Sequence, residues 1–170
     1  MPLIVYNVPY RTGKVVGWQT LRQLACLPGI AGVKHAVGSI DQDTVMLMAN
    51  PPADFAVLAG DDVFASPLLA LGAAGGILAS AHLCTGEFAG LIGAWRSGQT
   101  SQARELGHLL TPLSAALFAE PNPTVIKGVL HAQGKIPSPA VRLPLLPAGP
   151  GTVSAAVSLL SQMCSTTDRP

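Results

Sequence analysis

The sequence predicts an α/β fold: four parallel strands with helical crossovers, half of a (β/α)8 barrel, followed by a purely helical segment. Two observations predict it. Short apolar runs alternate with helical patterns up to His82, an order that argues for parallel strands joined by helices. After Leu83 the pattern is helical only. A third observation concerns what surrounds the fold. Charged residues make up only 11% of the chain, against about 25% in an ordinary globule. Much of the expected surface is therefore buried, or the chain expects a partner.

The elements follow in order. Leu3–Tyr6 is the first strand. Trp18–Ala25 is a helix, with Leu21, Leu24 and Ala25 at helical spacing. Ile30–Val33 is the second strand. Ile40–Met48 is helical, with Asp41 and Asp43 in its first turn, where negative charge suits the helix dipole. Phe55–Ala59 is the third strand, Phe64–Leu71 a helix stopped by Gly72, and Gly76–Leu78 the fourth strand. Phe88–Arg96 and Ser101–Phe118 are the next helices, the second broken or bent near Thr111-Pro112. Asn122 and Pro123 read as the cap and first residue of a helix over Thr124–Gln133. Residues 136–150 carry Pro137, Pro139, Pro144, Pro147 and Pro150 and read as an extended surface crossover. Gly151–Met163 is the last helix, and Ser165–Pro170 a frayed tail.

Four strands cannot close a barrel. Closure takes eight and typically about 250 residues. The isolated half leaves two sheet edges and one apolar face uncovered.

Bulk composition argues against several classes of function. A formal net charge of +1 with 5% aromatics leaves no basic stripe for nucleic acid. Cys26, Cys84 and Cys164 are scattered and odd in number, which fits a reducing, cytoplasmic compartment. Met1-Pro-Leu-Ile-Val-Tyr has neither the basic region nor the cleavage site of a signal peptide. The stretch between Asp62 and Glu87 holds no charge, but Pro67, Gly72, Gly75, Gly76, Ser80 and His82 interrupt it. It reads as helix, turn, strand and turn rather than a membrane span. His35, His82, His108 and His131 have no metal spacing, and no phosphate loop or Gly-x-Ser-x-Gly elbow is present. No metal or nucleotide cofactor is expected.

The reactive side chains sit at strand ends. Lys34 follows Ala31-Gly32-Val33, at the carboxyl end of a strand, which is the catalytic face of parallel α/β barrels. A desolvated lysine there can attack a carbonyl carbon as a free amine; the plain alternative is a snorkelling lysine at a strand edge. Tyr6 ends the neighbouring strand, where a phenol can shuttle protons, or where a core tyrosine can simply have its hydroxyl satisfied. Arg11, in the Arg-Thr-Gly loop beyond that strand, can grip a carboxylate or lie exposed. Gly60 ends the third strand and permits close backbone approach to a ligand, and Ile77 ends the fourth. The adjacent carboxylates Asp61 and Asp62 suit capping and loop roles, because neighbours seldom converge on one point.

In combination, Tyr6-Asn-Val-Pro, Arg11-Thr-Gly13, Gly32-Val-Lys34 and Gly60-Asp-Asp62 resemble the dihydrodipicolinate synthase / N-acetylneuraminate lyase family. The resemblance runs from Leu3 to about Pro147, including Glu120-Pro-Asn-Pro123 as helix-start architecture. It implies a Schiff-base (class I) aldolase or lyase acting on pyruvate and a small aldehyde, with no cofactor beyond a covalent imine through Lys34. It implies that Tyr6 relays protons and that Arg11 holds the carboxylate of the aldehyde substrate. Gly60 and Ile77 would line the pyruvate pocket through main-chain groups. It also implies the C-terminal half of a TIM barrel. Strands five to eight would occupy residues 1–82, and the last barrel helix with a C-terminal helical extension residues 83–170.

The chain departs from the family in two ways. His35 stands where an acidic residue is common. The early Gly-Thr-Thr-Gly-Glu-like segment, whose threonine relays protons with the tyrosine, is absent, as is the upstream tyrosine lent by a neighbouring subunit. The expectation is an enzyme condensing pyruvate with aspartate semialdehyde in lysine biosynthesis, weak or inactive alone. It would work as a homo-oligomer or with a partner supplying the missing half barrel. Alternatives are a non-catalytic half-barrel subunit and a sugar-acid aldolase or dehydratase; Arg11 argues against the latter.

Overall fold

The computed structural model describes the backbone of residues 1–167 and the side chains as far as Met163. Four strands form one parallel sheet in the order β1-β2-β3-β4, with β1 Leu3–Asn7, β2 Ile30–His35, β3 Ala56–Ala59 and β4 Gly75–Gly76. The crossovers carry α1 (Pro9–Thr12) and α2 (Trp18–Ala25) after β1, α3 (Gln42–Ala49) after β2, and α4 (Ala65–Ala70) after β3. This is the expected half of a (β/α)8 barrel. The helices α5 (Thr85–Arg96), α6 (Thr100–Leu117), α7 (Thr124–Ala132) and α8 (Pro150–Thr167) follow.

Strand alternation decides what each sheet face meets. Asn7, Val33, His35, Val57 and Ala59 are buried and point to the helix layer. Ile4 and Tyr6 are exposed, and Lys34 and Leu58 half-buried, on the opposite face, which no helix among the described residues covers. Val33, Val57, Leu21, Leu47, Leu68 and Leu69 belong to one core that continues through Leu91, Leu110, Leu113, Leu117, Val125 and Val129 between α5, α6 and α7. Burying each such side chain contributes roughly 1.5–3 kcal/mol, so this face, not the open one, holds the fold together.

Several boundaries differ from expectation for local reasons. Asp41 is the cap of α3 and not part of its first turn: its carboxylate accepts from the Thr44 N–H at 2.8 Å. The fourth strand is only Gly75–Gly76, with the Ile77 N–H just beyond it still donating to the Ala59 carbonyl. The helix after β3 opens with a tight 3-10 turn, Asp62–Phe64, and ends before Gly72, whose φ of +103° suits glycine. Pro112 does not break α6, which runs continuously from Thr100 to Leu117. Beside it, the Thr111 hydroxyl donates to the Gly107 carbonyl one turn back, at 2.7 Å.

Asn122 does not cap α7. Pro123 occupies the cap position, and the Thr124 N–H and hydroxyl instead donate to the Pro121 carbonyl. The proline-rich crossover holds neither helix nor strand over residues 136–149, Pro150 already opening α8, and is tied down by the Gly149 N–H donating to Glu120 Oε1 at 3.0 Å. α8 continues to Thr167, so Ser165–Thr167 are helical rather than frayed, and 168–170 lie outside the described residues. The charge-free stretch is divided among a 3-10 turn, α4, β4 and a second 3-10 turn at Ser80–His82. Among the described residues no helix is long and apolar enough to cross a membrane.

Candidate functional site

Parallel pairing sets Tyr6 directly beside Lys34, and Lys34 beside Leu58, which pairs with Gly75. One row across the open sheet face therefore reads Tyr6, Lys34, Leu58, Gly75, at the carboxyl ends of the strands. Within it the Lys34 ammonium lies 4.2 Å from the centroid of the Tyr6 ring. Such a contact stabilises the cation by roughly 0.5–1 kcal/mol at a partly exposed site. It also fixes the amine beside the phenol-bearing ring, so the two side chains read from the sequence meet.

Gly60 joins them from β3. A Cβ there would stand 2.9 Å from Lys34 Cγ and 2.9 Å from Ala36 Cβ, closer than real carbon atoms approach. The missing side chain is thus space occupied by the lysine stem. The Gly60 N–H donates to the His35 carbonyl at 2.8 Å, which holds that approach in place. Ile77 closes the same end of the sheet: its N–H donates to the Ala59 carbonyl at 2.8 Å and its side chain is exposed.

Arg11 is placed differently. It lies in the short helix α1 and not in open loop, with Gly13 in the left-handed conformation ending the turn. Its Nε donates to the Tyr10 hydroxyl at 2.9 Å, and its guanidinium sits 5.3 Å from the Tyr10 ring centroid. Its recorded contacts are thus with Tyr10 rather than with the Tyr6–Lys34 pair.

Three residues hold the loops around the site: loop roles were expected for Asp61 and Asp62, whereas the role of Asn7 escaped the sequence reading. Asn7 binds both backbone groups of Val16: its amide donates to the Val16 carbonyl at 3.0 Å, and the Val16 N–H donates to its Oδ1 at 3.1 Å. That closes the loop carrying Arg11. Asp61 Oδ2 accepts from the Gly38 N–H at 2.6 Å, tying the β3 loop to the β2 loop. Asp62 accepts from the N–H groups of Ala79 and Ser80, at 3.3 and 2.5 Å, tying it to the β4 loop. The two adjacent carboxylates diverge, as expected, and lace three loops at one end of the sheet. Burial pushes the Asp62 carboxyl above its usual value, against the pull of those hydrogen bonds.

His35 does not act on Lys34 as a charged neighbour. Alternation turns it to the helix side, where it is buried. The Thr44 hydroxyl donates to Asp41 Oδ1 at 2.7 Å, so its oxygen must accept from His35 Nε2, 2.9 Å away. His35 is therefore the Nε2–H tautomer, and its buried Nδ1 has no hydrogen-bond partner. Burial lowers the His35 pKa, opposed by the Asp41, Asp61 and Asp43 carboxylates. Asp41 is also desolvated, but the Thr44 N–H and hydroxyl hold it below its ordinary value. No group of three or more His, Cys, Asp or Glu side chains able to hold a metal ion occurs among the described residues.

This arrangement has close relatives. Residues 1–163 match the dihydrodipicolinate synthetase family. The chain is 40% identical over 147 residues to 4-hydroxy-tetrahydrodipicolinate synthase 2 of Clostridium acetobutylicum, covering 86% of this chain and 51% of that protein. The dihydrodipicolinate synthase of Thermotoga maritima superposes with a TM-score of 0.90 at 35% identity, over 96% of this chain and 56% of that one. The enzyme from Acinetobacter baumannii, solved as a complex with pyruvate, gives 0.89 at 32% identity, over 96% and 56%. The chain spans about half the length of the relatives it matches. With its four-stranded half barrel superposing on theirs, it belongs to the dihydrodipicolinate synthetase family.

Proposed function

We propose that this chain carries the imine-forming half of a Schiff-base aldolase, most like 4-hydroxy-tetrahydrodipicolinate synthase, which joins pyruvate to aspartate semialdehyde in lysine biosynthesis. The observation that carries the reading is the Lys34 amine held 4.2 Å from the Tyr6 ring centroid, on the row beside Gly60. The Lys34 amine adds to the keto carbon of pyruvate. Loss of water leaves an imine, and no external cofactor is needed. The imine draws electrons from the adjacent methyl carbon, which loses a proton and becomes an enamine nucleophile. That carbon bonds to the aldehyde carbon, whose oxygen takes up a proton. Hydrolysis of the imine returns the amine.

Tyr6 relays the protons that these steps release and consume. Arg11 turns from Tyr10 to hold the carboxylate of the aldehyde substrate, a guanidinium fork suited to that group. Gly60 and Ile77 bound the pyruvate pocket through their main chains. Residues 1–82 form the half barrel, strands five to eight, and 83–170 the last barrel helix and helical extension. The working assembly is an oligomer, or includes a partner bringing the other half barrel, in the cytoplasm. The chain alone turns over weakly or not at all.

Exchange of the pyruvate methyl protons in deuterium oxide tests the enamine step without needing the aldehyde. The chain should exchange them faster than a Lys34→Ala variant. Equal rates in the two would remove the proposal. A second reading, a non-catalytic half-barrel subunit, is favoured by the exposed Ile4 and Ile77 on the open face.

A further inference from the structure

We infer that His35 is a positioning residue for Lys34: its imidazole, bonded to Thr44 on α3, fixes the strand end from which the lysine departs, and the Thr44–Asp41 pair requires a neutral hydrogen-bond donor at this position. The inference rests on the imine reading for why the place of the amine matters, but not for how that place is measured.

The carboxyl end of β2 is held from three directions. In register, His35 stands between Asn7 of β1 and Ala59 of β3. On the β1 side, the Ala36 N–H donates to the Asn7 carbonyl at 2.9 Å. On the β3 side, the His35 carbonyl accepts from the Gly60 N–H at 2.8 Å. That bond keeps Gly60 over the lysine stem, where a Cβ would meet Lys34 Cγ at 2.9 Å and the His35 carbonyl oxygen at 3.0 Å. The third direction is the helix layer. There the tie is the His35 side chain, whose Nε2 lies 2.9 Å from the Thr44 hydroxyl, both residues being buried.

The chemistry of that third tie is specific. Thr44 has already committed its proton, since its hydroxyl donates to Asp41 Oδ1 at 2.7 Å. The same carboxylate oxygen accepts the Thr44 N–H at 2.8 Å. Only lone pairs of the hydroxyl remain for residue 35, so its partner must donate. An ionised carboxylate at position 35 would set lone pair against lone pair. It would also add a fourth acid to Asp41 and Asp43 of α3 and Asp61 beyond β3, the charged groups that act on His35 from the elements around it. An imidazole in place of the acidic residue common in the family therefore matches its neighbours on α3. Its Nδ1 is buried without a partner among the described residues. A second ring proton would have no acceptor there, and burial lowers the His35 pKa. The ring stays the neutral donor that Thr44 needs.

The leverage on the amine is short. One peptide bond joins His35 to Lys34, and alternation sends their side chains to opposite faces. A strand end released from α3 shifts the lysine stem against Gly60. The ammonium then leaves its place 4.2 Å from the Tyr6 ring centroid.

Trace acetylation followed by peptide mass mapping reads the amine directly. The Lys34 rate is taken relative to Lys14 and Lys135, exposed lysines of the same chain. His35→Phe fills the ring space without a donor, Thr44→Val removes the acceptor at nearly constant shape, and His35→Gln supplies a donor again. Relative acetylation of Lys34 should rise about three- to tenfold in His35→Phe and in Thr44→Val, the population shift that loss of one hydrogen bond produces. The double variant should react no faster than either single one, and His35→Gln should stay within about twofold of the parent. If His35→Phe does not fold by circular dichroism, Thr44→Val carries the test, because its N–H still reaches Asp41. A lower melting temperature with an unchanged Lys34 ratio would make His35 merely structural and overturn the inference. An equal rise in His35→Gln, or additive effects in the double variant, would overturn it as well. Trapping of pyruvate on Lys34 with borohydride should fall in the same two variants. A parent chain that traps no pyruvate refutes the imine reading alone, since the acetylation ratio does not involve pyruvate.

Discussion

Gly60 and Lys34 occupy one space: a methyl group on Gly60 would lie 2.9 Å from Lys34 Cγ. The lysine reaches the Tyr6 ring by passing over a residue that has no side chain. The direction of the amine is therefore set from the neighbouring strand as well as from its own.

Gly60→Ala follows from this contact. The added methyl must push the lysine stem, Ala36 or both. Overpacking of this kind costs about 1–3 kcal/mol, readable as a lower melting temperature. Displacing a reacting group by about 1 Å can cost about 10²-fold in rate. Methyl exchange from pyruvate should thus fall far more than stability does. Unchanged exchange in a folded Gly60→Ala chain would show that the stem path does not matter.

Tyr6→Phe separates the ring from its hydroxyl. The ring contact with the ammonium persists, so the fold and the lysine position should be retained. Losing a positioned proton relay should slow exchange by about 10²–10⁴-fold. Tyr6→Ala should lose the ring contact as well and leave Lys34 freer. Equal rates in Tyr6→Phe and the parent would assign the tyrosine a purely packing role.

Asp62 laces the β3 and β4 loops through two backbone donors, one of them buried. Asp62→Ala leaves the Ser80 N–H without that acceptor, at a cost of about 1–3 kcal/mol. Asp62→Asn, which keeps one acceptor oxygen, should lose less. Chemical denaturation of the two variants checks the order. Asn7→Ala should act on the other side of the mouth, releasing the Val16 tie and making the loop over residues 8–16 more sensitive to proteolysis.

His35 predicts a pH dependence. Its folded pKa is lowered by burial below the ordinary value of 6.5. Above 6.5 both folded and unfolded chains carry it neutral, and its contribution to stability is intact. As pH falls below 6.5 the unfolded chain takes up the proton first, so stability is lost as pH drops toward the folded pKa. Asp62, whose folded pKa is raised, has the opposite slope: its contribution is full below 3.8 and is lost as pH rises through the folded value. Melting curves between pH 7.5 and about 5 should show the histidine loss, and His35→Gln should flatten it.

Much of the site could be read from the chain because strand alternation is a local rule. Tyr6 and Lys34 each close a short apolar run, and parallel register alone puts them side by side. The lysine path over Gly60 needed coordinates, since it depends on how closely β2 and β3 approach. Asn7 was unreadable for a similar reason: its partner Val16 is set by the course of an irregular loop. His35 follows Lys34 in the chain, yet the alternation that turns Lys34 to the open face buries the next residue. Pro112 looked like a break, yet α6 runs through it, and neighbouring Leu110 and Leu113 are packed in the core. The arginine remained half legible: the motif located Arg11, and the fold gave it Tyr10 as its neighbour.

Borohydride reduction in the presence of pyruvate, followed by peptide mass mapping, reaches the central claim most directly. Imine formation followed by reduction fixes the three-carbon acid to the amine that formed the bond. The account predicts that the added mass appears on the peptide containing Lys34 and is lost in Lys34→Ala. A chain that stays unlabelled, or carries the label on Lys14 or Lys127 instead, would contradict it.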